Sequence, residues 1–163
     1  MSIDKLQEKI RKMKNPSMVD FSVELDKIPP HILEEENNEI LGYERFCREL
    51  MDGLRNLVPA VRFNMGRFSI LGSDGLFLLS RLTAYAKELD YYVLLDGYDY
   101  PNANAKNCSF AFDKLGHGAI ACAGSSITAA WVTDKTEGIE FVACAVEAAE
   151  RMKKNLLRYV TVL

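Results

Sequence analysis

The chain has 163 residues, 48% of them hydrophobic and 26% charged, with a formal net charge of −3. That length and apolar content suit one globular domain over residues 1–163 and exclude a disordered or fibrous chain. The acidic balance argues against nucleic acid as a partner, since binding phosphates needs a basic face to release counterions, and no apolar run reaches the roughly 18 residues of a membrane helix.

At the amino end Ile3, Leu6, Ile10 and Met13 recur at helical spacing until Asn15-Pro16 breaks the pattern. This charged, amphipathic opening lacks the apolar core of a signal peptide, so the expected location is the cytoplasm. Ser17 to Leu25 reads as a strand stopped by Ile28-Pro29-Pro30. Ile40, Leu41, Tyr43, Phe46, Cys47, Leu50, Leu54 and Leu57 then form the broad stripe of a helix covering a sheet, with acids at Glu34 to Glu36 placed at its expected start. Pro59 to Met65 is a short strand, and Ser73-Asp74 is the expected cap of a helix from about Gly75 to Leu89.

Tyr91 to Asp96 is almost uninterrupted in its apolar character, the pattern of a parallel strand buried on both faces. Beyond an asparagine-rich irregular stretch, Asn107 to Leu115 suggests a weak helix, and Gly118 to Ala123 and Ile127 to Val132 are β-prone. Thr136 is placed to cap a long helix to Lys154, and Leu156 to Leu163 (LLRYVTVL) reads as a final strand. Strands alternating with helices in this way predict an α/β fold of about five mainly parallel strands with flanking helices and right-handed crossovers.

Four stretches carry a resemblance: "LQEKIRKMKNPSMV" at Leu6 to Val19, "LDKIPPHI" at Leu25 to Ile32, "LMDGLRNLVPAVRF" at Leu50 to Phe63 and "AYAKELDYYVLLDG" at Ala84 to Gly97. In combination they resemble the orotidine 5'-phosphate decarboxylase family, in its longer bacterial subfamily, over roughly the first hundred residues. Beyond Asn102 the likeness thins to "DKTEGIEF" at Asp134 to Phe141. The resemblance implies a partial (β/α)8 barrel, not closed within one chain, and a link to pyrimidine metabolism.

The family's chemistry does not carry over intact. Its third strand ends in Asp-x-Lys-x-x-Asp, where the first acid presses on the substrate carboxylate and the lysine protonates the departing carbanion. Asp96 matches the first acid, but Tyr98 stands at the lysine and Pro101 at the second acid. A phenol with a pKa of about 10 is a poor substitute for an ammonium, and proline cannot ionise. The family's Gly-Leu-Asp-Pro motif aligns with Asp20-Phe21-Ser22-Val23, which puts Ser22 at the aspartate while Asp20 shares its strand face two residues earlier. Arg62 matches a second-strand lysine and keeps the charge, without being its equivalent. The strands that hold the phosphate-binding turn and its arginine have no counterpart, so the binding energy that drives the reaction is missing.

Asp96, retained from the family's motif, is therefore the candidate catalytic residue, and Asp20, Ser22, Arg62, Asn64, Tyr98 and Asp99 are the candidate ligand-binding residues. Gathered at the carboxyl ends of adjacent strands, such residues form either a polar pocket for a ribose or small cation, or a relic in which Asp96 only pairs with Arg62. The loop with Tyr98, Tyr100, Asn102 and Asn104 offers either base stacking or a subunit interface. "GSDG" at Gly72 to Gly75 is a helix cap before it is an anion site, and Ser125 and Ser126 of "CAGSS" read as turn residues, with no acid partner assignable to His31 or His117. The four cysteines show no CxxC spacing and are expected to be buried thiols. No metal or cofactor is implied.

Five parallel strands leave two open edges, and LLRYVTVL is the edge most exposed to aggregation. The expectation is a homo-oligomer, as a dimer, or a partner chain that covers the edge. The leading functional expectation is a catalytically silent decarboxylase-like module for nucleotide binding or assembly. The alternative is an enzyme of altered chemistry, using Asp96 with Asp99 or Tyr98 on a phosphorylated ribose or pyrimidine.

Overall fold

The computed structural model describes residues 3–97, 105–133 and 137–163. In chain order the elements are α1 (Ile3–Met13), β1 (Ser17–Asp20), α2 (Pro30–Glu36), α3 (Glu39–Leu54), β2 (Ala60–Asn64), α4 (Met65–Ser69), α5 (Gly72–Glu88), β3 (Tyr92–Asp96), α6 (Ala105–Cys108), β4 (Ala121–Ala123), α7 (Ser125–Thr128), α8 (Ala130–Thr133) and α9 (Phe141–Leu156). The described strands form one parallel sheet in the order β3-β2-β1-β4. This is the α/β architecture expected from the alternation, with the barrel unclosed. None of the described helices is long and apolar enough to cross a membrane.

Period-two alternation gives each strand two faces. Val19, Val61, Phe63 and Ala123 share a large core with Phe46, Leu50 and Leu54 of α3, Leu78 and Leu82 of α5, and Ala145 and Ala149 of α9. On the other face Met18 and Ala60 pack with Leu6 and Ile10 of α1 and with Val160 and Val162 of the carboxyl-terminal segment. Polar residues of this second face, nearer the strand ends, form the candidate site. Gly75 is required where α5 meets α4, because a Cβ there would stand 2.1 Å from the Phe68 carbonyl oxygen.

Several sequence expectations are corrected. The first strand stops at Asp20 rather than Leu25. Phe21 N–H still reaches the Arg62 carbonyl at 2.9 Å. Ser22 N–H then turns back onto Asp20 Oδ1 at 2.9 Å, and Tyr43 Oη accepts from Val23 N–H at 2.7 Å, drawing the backbone out of the sheet. Glu34 to Glu36 end α2 instead of starting α3, because Asn37 adopts φ 47° and Asn38 caps α3 by accepting from Leu41 N–H. Pro30 occupies the first turn of α2, where its missing N–H costs nothing. The helix expected from Gly75 begins at Gly72, with Ser73 and Asp74 inside its first turn. Ile127 to Val132 is helical in α7 and α8: the Gly124 carbonyl takes the N–H groups of Ile127 and Thr128 locally. The long helix begins at Phe141, and its expected cap Thr136 lies outside the described residues.

The largest correction concerns the sheet edge. LLRYVTVL is not a strand: Tyr159 and Val160 N–H both close onto the Leu156 carbonyl at 2.9 Å, and the tail then lies against the second face of the sheet through Val160 and Val162. Four described strands therefore replace the expected five. Among the described strands the edges are β4 and β3, and β3 is the strand expected to be buried on both faces, with Leu94 37% and Leu95 41% exposed. A continuous apolar run cannot distinguish a central strand from an edge, because that depends on which neighbours pair with it.

Candidate functional site

Asp20, Arg62 and Asp96 come from the carboxyl ends of three neighbouring parallel strands and point to one face. The register places Asp20 opposite Arg62, and Asn64 opposite Asp96. Arg62 is 0% exposed. Its Nε donates to Asp96 Oδ2 at 3.0 Å, its Nη2 donates to Asp96 Oδ1, and its Nη1 donates to Asp20 Oδ2. One planar guanidinium thus grips Asp96 with two donors and Asp20 with a third, a geometry that lysine cannot reproduce.

The acids are nearly buried as well, with 17% of the Asp20 side chain and 18% of the Asp96 side chain exposed. Desolvation opposes the charge on Arg62, but the hydrogen bonds it donates to Asp96 and the charges of both acids outweigh it and raise its pKa above the ordinary arginine value. Two carboxylates on one guanidinium leave the cluster with a formal charge of −1. Its cation is therefore a fixed counter-ion and not a proton donor.

Ser22 and Asn64 frame this cluster. Asp20 Oδ1 accepts from Ser22 N–H, while Ser22 Oγ accepts from Asn64 N–H at 2.6 Å and ties the exit of β1 to the end of β2. Buried Asn64 turns its side-chain oxygen to Gly66 N–H at 2.9 Å, capping α4. Five of the sequence candidates (Asp20, Ser22, Arg62, Asn64 and Asp96) are thereby brought together. Tyr98 and Asp99, like Tyr100, Asn102 and Asn104, lie outside the described residues.

Cys122 is the residue that sequence reasoning missed. It lies on β4 opposite Met18, two positions before Asp20, and so on the site's face. Burial pushes its thiol up to about 11; the negative charges of Asp20 and Asp96 act in the same direction, while Arg62 opposes them. Cys47 and Cys144 are buried as expected, whereas Cys108 and Cys122 are only partly so. Nothing local marks Cys122, because its place follows from the pairing of β4 with β1 across a hundred residues of chain.

The histidines belong elsewhere. His31 packs beside Phe141 with ring centroids 6.5 Å apart, and His117 Nδ1 lies 3.8 Å from Asp113 Oδ2. Among the described residues no group of three or more His, Cys, Asp or Glu is arranged to hold a metal ion.

No protein-family model matches the chain, and no curated protein matches it. Among solved structures it is similar to a crystal structure from Streptomyces avermitilis ma-4680, provisionally named as an orotidine 5'-phosphate decarboxylase, with 19% identity and a TM-score of 0.43. That likeness covers 92% of this chain and 49% of the other, so this chain spans about half the length of the structure it matches.

Proposed function

We propose that this protein is a catalytically silent, decarboxylase-like module that binds a small nucleotide at the strand ends and self-associates through the β3 edge. One observation carries the first half: Arg62 is fully buried and held by both acids. A decarboxylase needs a cation able to give up a proton to a carbanion, whereas a guanidinium with a raised pKa stays protonated. The acids, in turn, are engaged in charge neutralisation, and their oxygens carry lone pairs that only accept hydrogen bonds. Those lone pairs suit hydroxyl donors, which points to the ribose of a nucleotide rather than to its phosphate; the formal −1 of the cluster disfavours an anion there.

The exposed pair Leu94 and Leu95 supports self-association, since an edge strand with exposed apolar side chains is a template for pairing. Two copies related by a two-fold axis satisfy each other with the same strand.

Calorimetric titration of the chain with UMP, orotidylate and ribose 5-phosphate tests the binding half. Saturable binding of UMP that is lost in Asp96→Asn is expected; silence from all three ligands at millimolar concentration rejects it. Native mass spectrometry tests the other half, with a dimer expected for the parent chain and a monomer for Leu95→Lys. A parent chain that is already monomeric removes the assembly role.

A further inference from the structure

The opposite pole of the sheet holds a second arrangement of charge. A cavity of about 450 Å³ is lined there by Lys9, Lys12, Arg55, Asp90 and Lys153, together with neutral residues. These positions lie at the end of α1, just before β2, just before β3 and in the last turn of α9, so the cavity sits beneath the amino ends of the strands. Its volume is in the range of small-molecule sites, about 300–1,000 Å³. We propose that this cavity binds a small organic phosphate.

Four cations against one carboxylate give the cavity a formal +3, within a chain whose net charge is −3. Part of that charge is already used. Lys9 pairs with Asp90, and Lys153 Nζ donates to the Met13 carbonyl at 2.7 Å, at the end of α1. Lys12 and Arg55 are exposed and have no carboxylate at salt-bridge distance among the described residues.

A competing use for these cations is compensation of helix dipoles, because α1, α3, α5 and α9 all end at this pole. Each terminus carries about −0.5 of an elementary charge, together about −2, felt only within the last turn. That total is smaller than the side-chain charge, and the Lys153 contact already serves one terminus. A surplus of positive charge remains at Lys12 and Arg55. A phosphate with two negative charges meets both, with the fork of Arg55 matched to two of its oxygens and Lys12 acting as a point charge. The inference is independent of the strand-end reading, since no residue is shared between the two sites.

Calorimetry of the full chain with sodium pyrophosphate at low salt decides it. Saturable binding of one pyrophosphate per chain is expected, about tenfold or more weaker in Lys12→Ala/Arg55→Ala. Lys154→Ala/Arg158→Ala, which removes two cations that do not line the cavity, is expected to leave the affinity within about twofold. Because Lys12 and Arg55 are exposed, their variant should keep its fold, which far-UV circular dichroism checks. Absence of saturable binding to the parent chain overturns the proposal, whatever the variants do. Equal weakening in both double variants also overturns it, by showing diffuse attraction to a basic surface.

Discussion

The two poles of the sheet use the same residue types to opposite ends. Arg62, at the carboxyl ends of the strands, is fully buried and closed off by two carboxylates. Arg55, at the amino ends, is exposed and has no acid at salt-bridge distance among the described residues. A buried cation must be compensated, because desolvation costs several kcal/mol per ion unless partners replace the lost water. An exposed cation keeps its water and remains able to exchange it for a ligand. Burial, rather than residue type, separates a structural charge from an available one.

The comparison is most severely tested at Arg62. Arg62→Ala leaves Asp20 and Asp96 facing each other without a counter-ion and should cost about 3–5 kcal/mol, read as a lower urea midpoint with an unchanged slope. Arg55→Ala should cost less than about 0.5 kcal/mol in the same assay, as a surface change does. Equal losses at the two positions would erase the distinction between the poles.

Smaller effects sharpen the picture within the cluster. Asp96→Asn removes the acid that receives two donors from Arg62, with an expected cost of about 2–3 kcal/mol. Asp20→Asn keeps an oxygen for Ser22 N–H and loses one charged contact, so about 1–2 kcal/mol is expected. Tyr43→Phe removes the hydroxyl that receives Val23 N–H and lies 3.0 Å from the Phe21 carbonyl, for about 1–2 kcal/mol. Should Asp20→Asn prove costlier than Asp96→Asn, the double grip on Asp96 is not the dominant contact.

The smallest effect is one of pH. The Cys122 thiol is raised from its ordinary 9.0 to about 11, so the unfolded chain releases this proton first as pH rises. Its contribution to stability is fully present below pH 9 and is lost as pH climbs toward 11. Subtracting the denaturation midpoints of Cys122→Ala from those of the parent across this window should give a decline with rising pH. A flat difference means that burial and the neighbouring acids do not raise the thiol.

What could be read from the sequence was what local rules control. Strand-end acids two residues apart in phase, and an arginine on the next strand, place Asp20, Arg62 and Asp96 on one face once a parallel sheet is assumed. Pairing between distant segments was not legible. Tyr91 to Asp96 has the composition of a central strand and sits at an edge, and LLRYVTVL has the composition of a strand but is drawn onto α1 and the sheet face by Val160 and Val162. In both cases tertiary packing overrode β propensity, which measures fit to a pleated surface and not a place in the sheet. Cys122 entered the site through the same kind of distant pairing.

Carbon dioxide release from orotidylate by the purified chain tests the central claim most directly. With Arg62 locked between two acids and unable to give up a proton, the proposed function predicts a rate no higher than that of buffer. Release at an enzymatic rate, abolished by Asp96→Asn, would contradict the account.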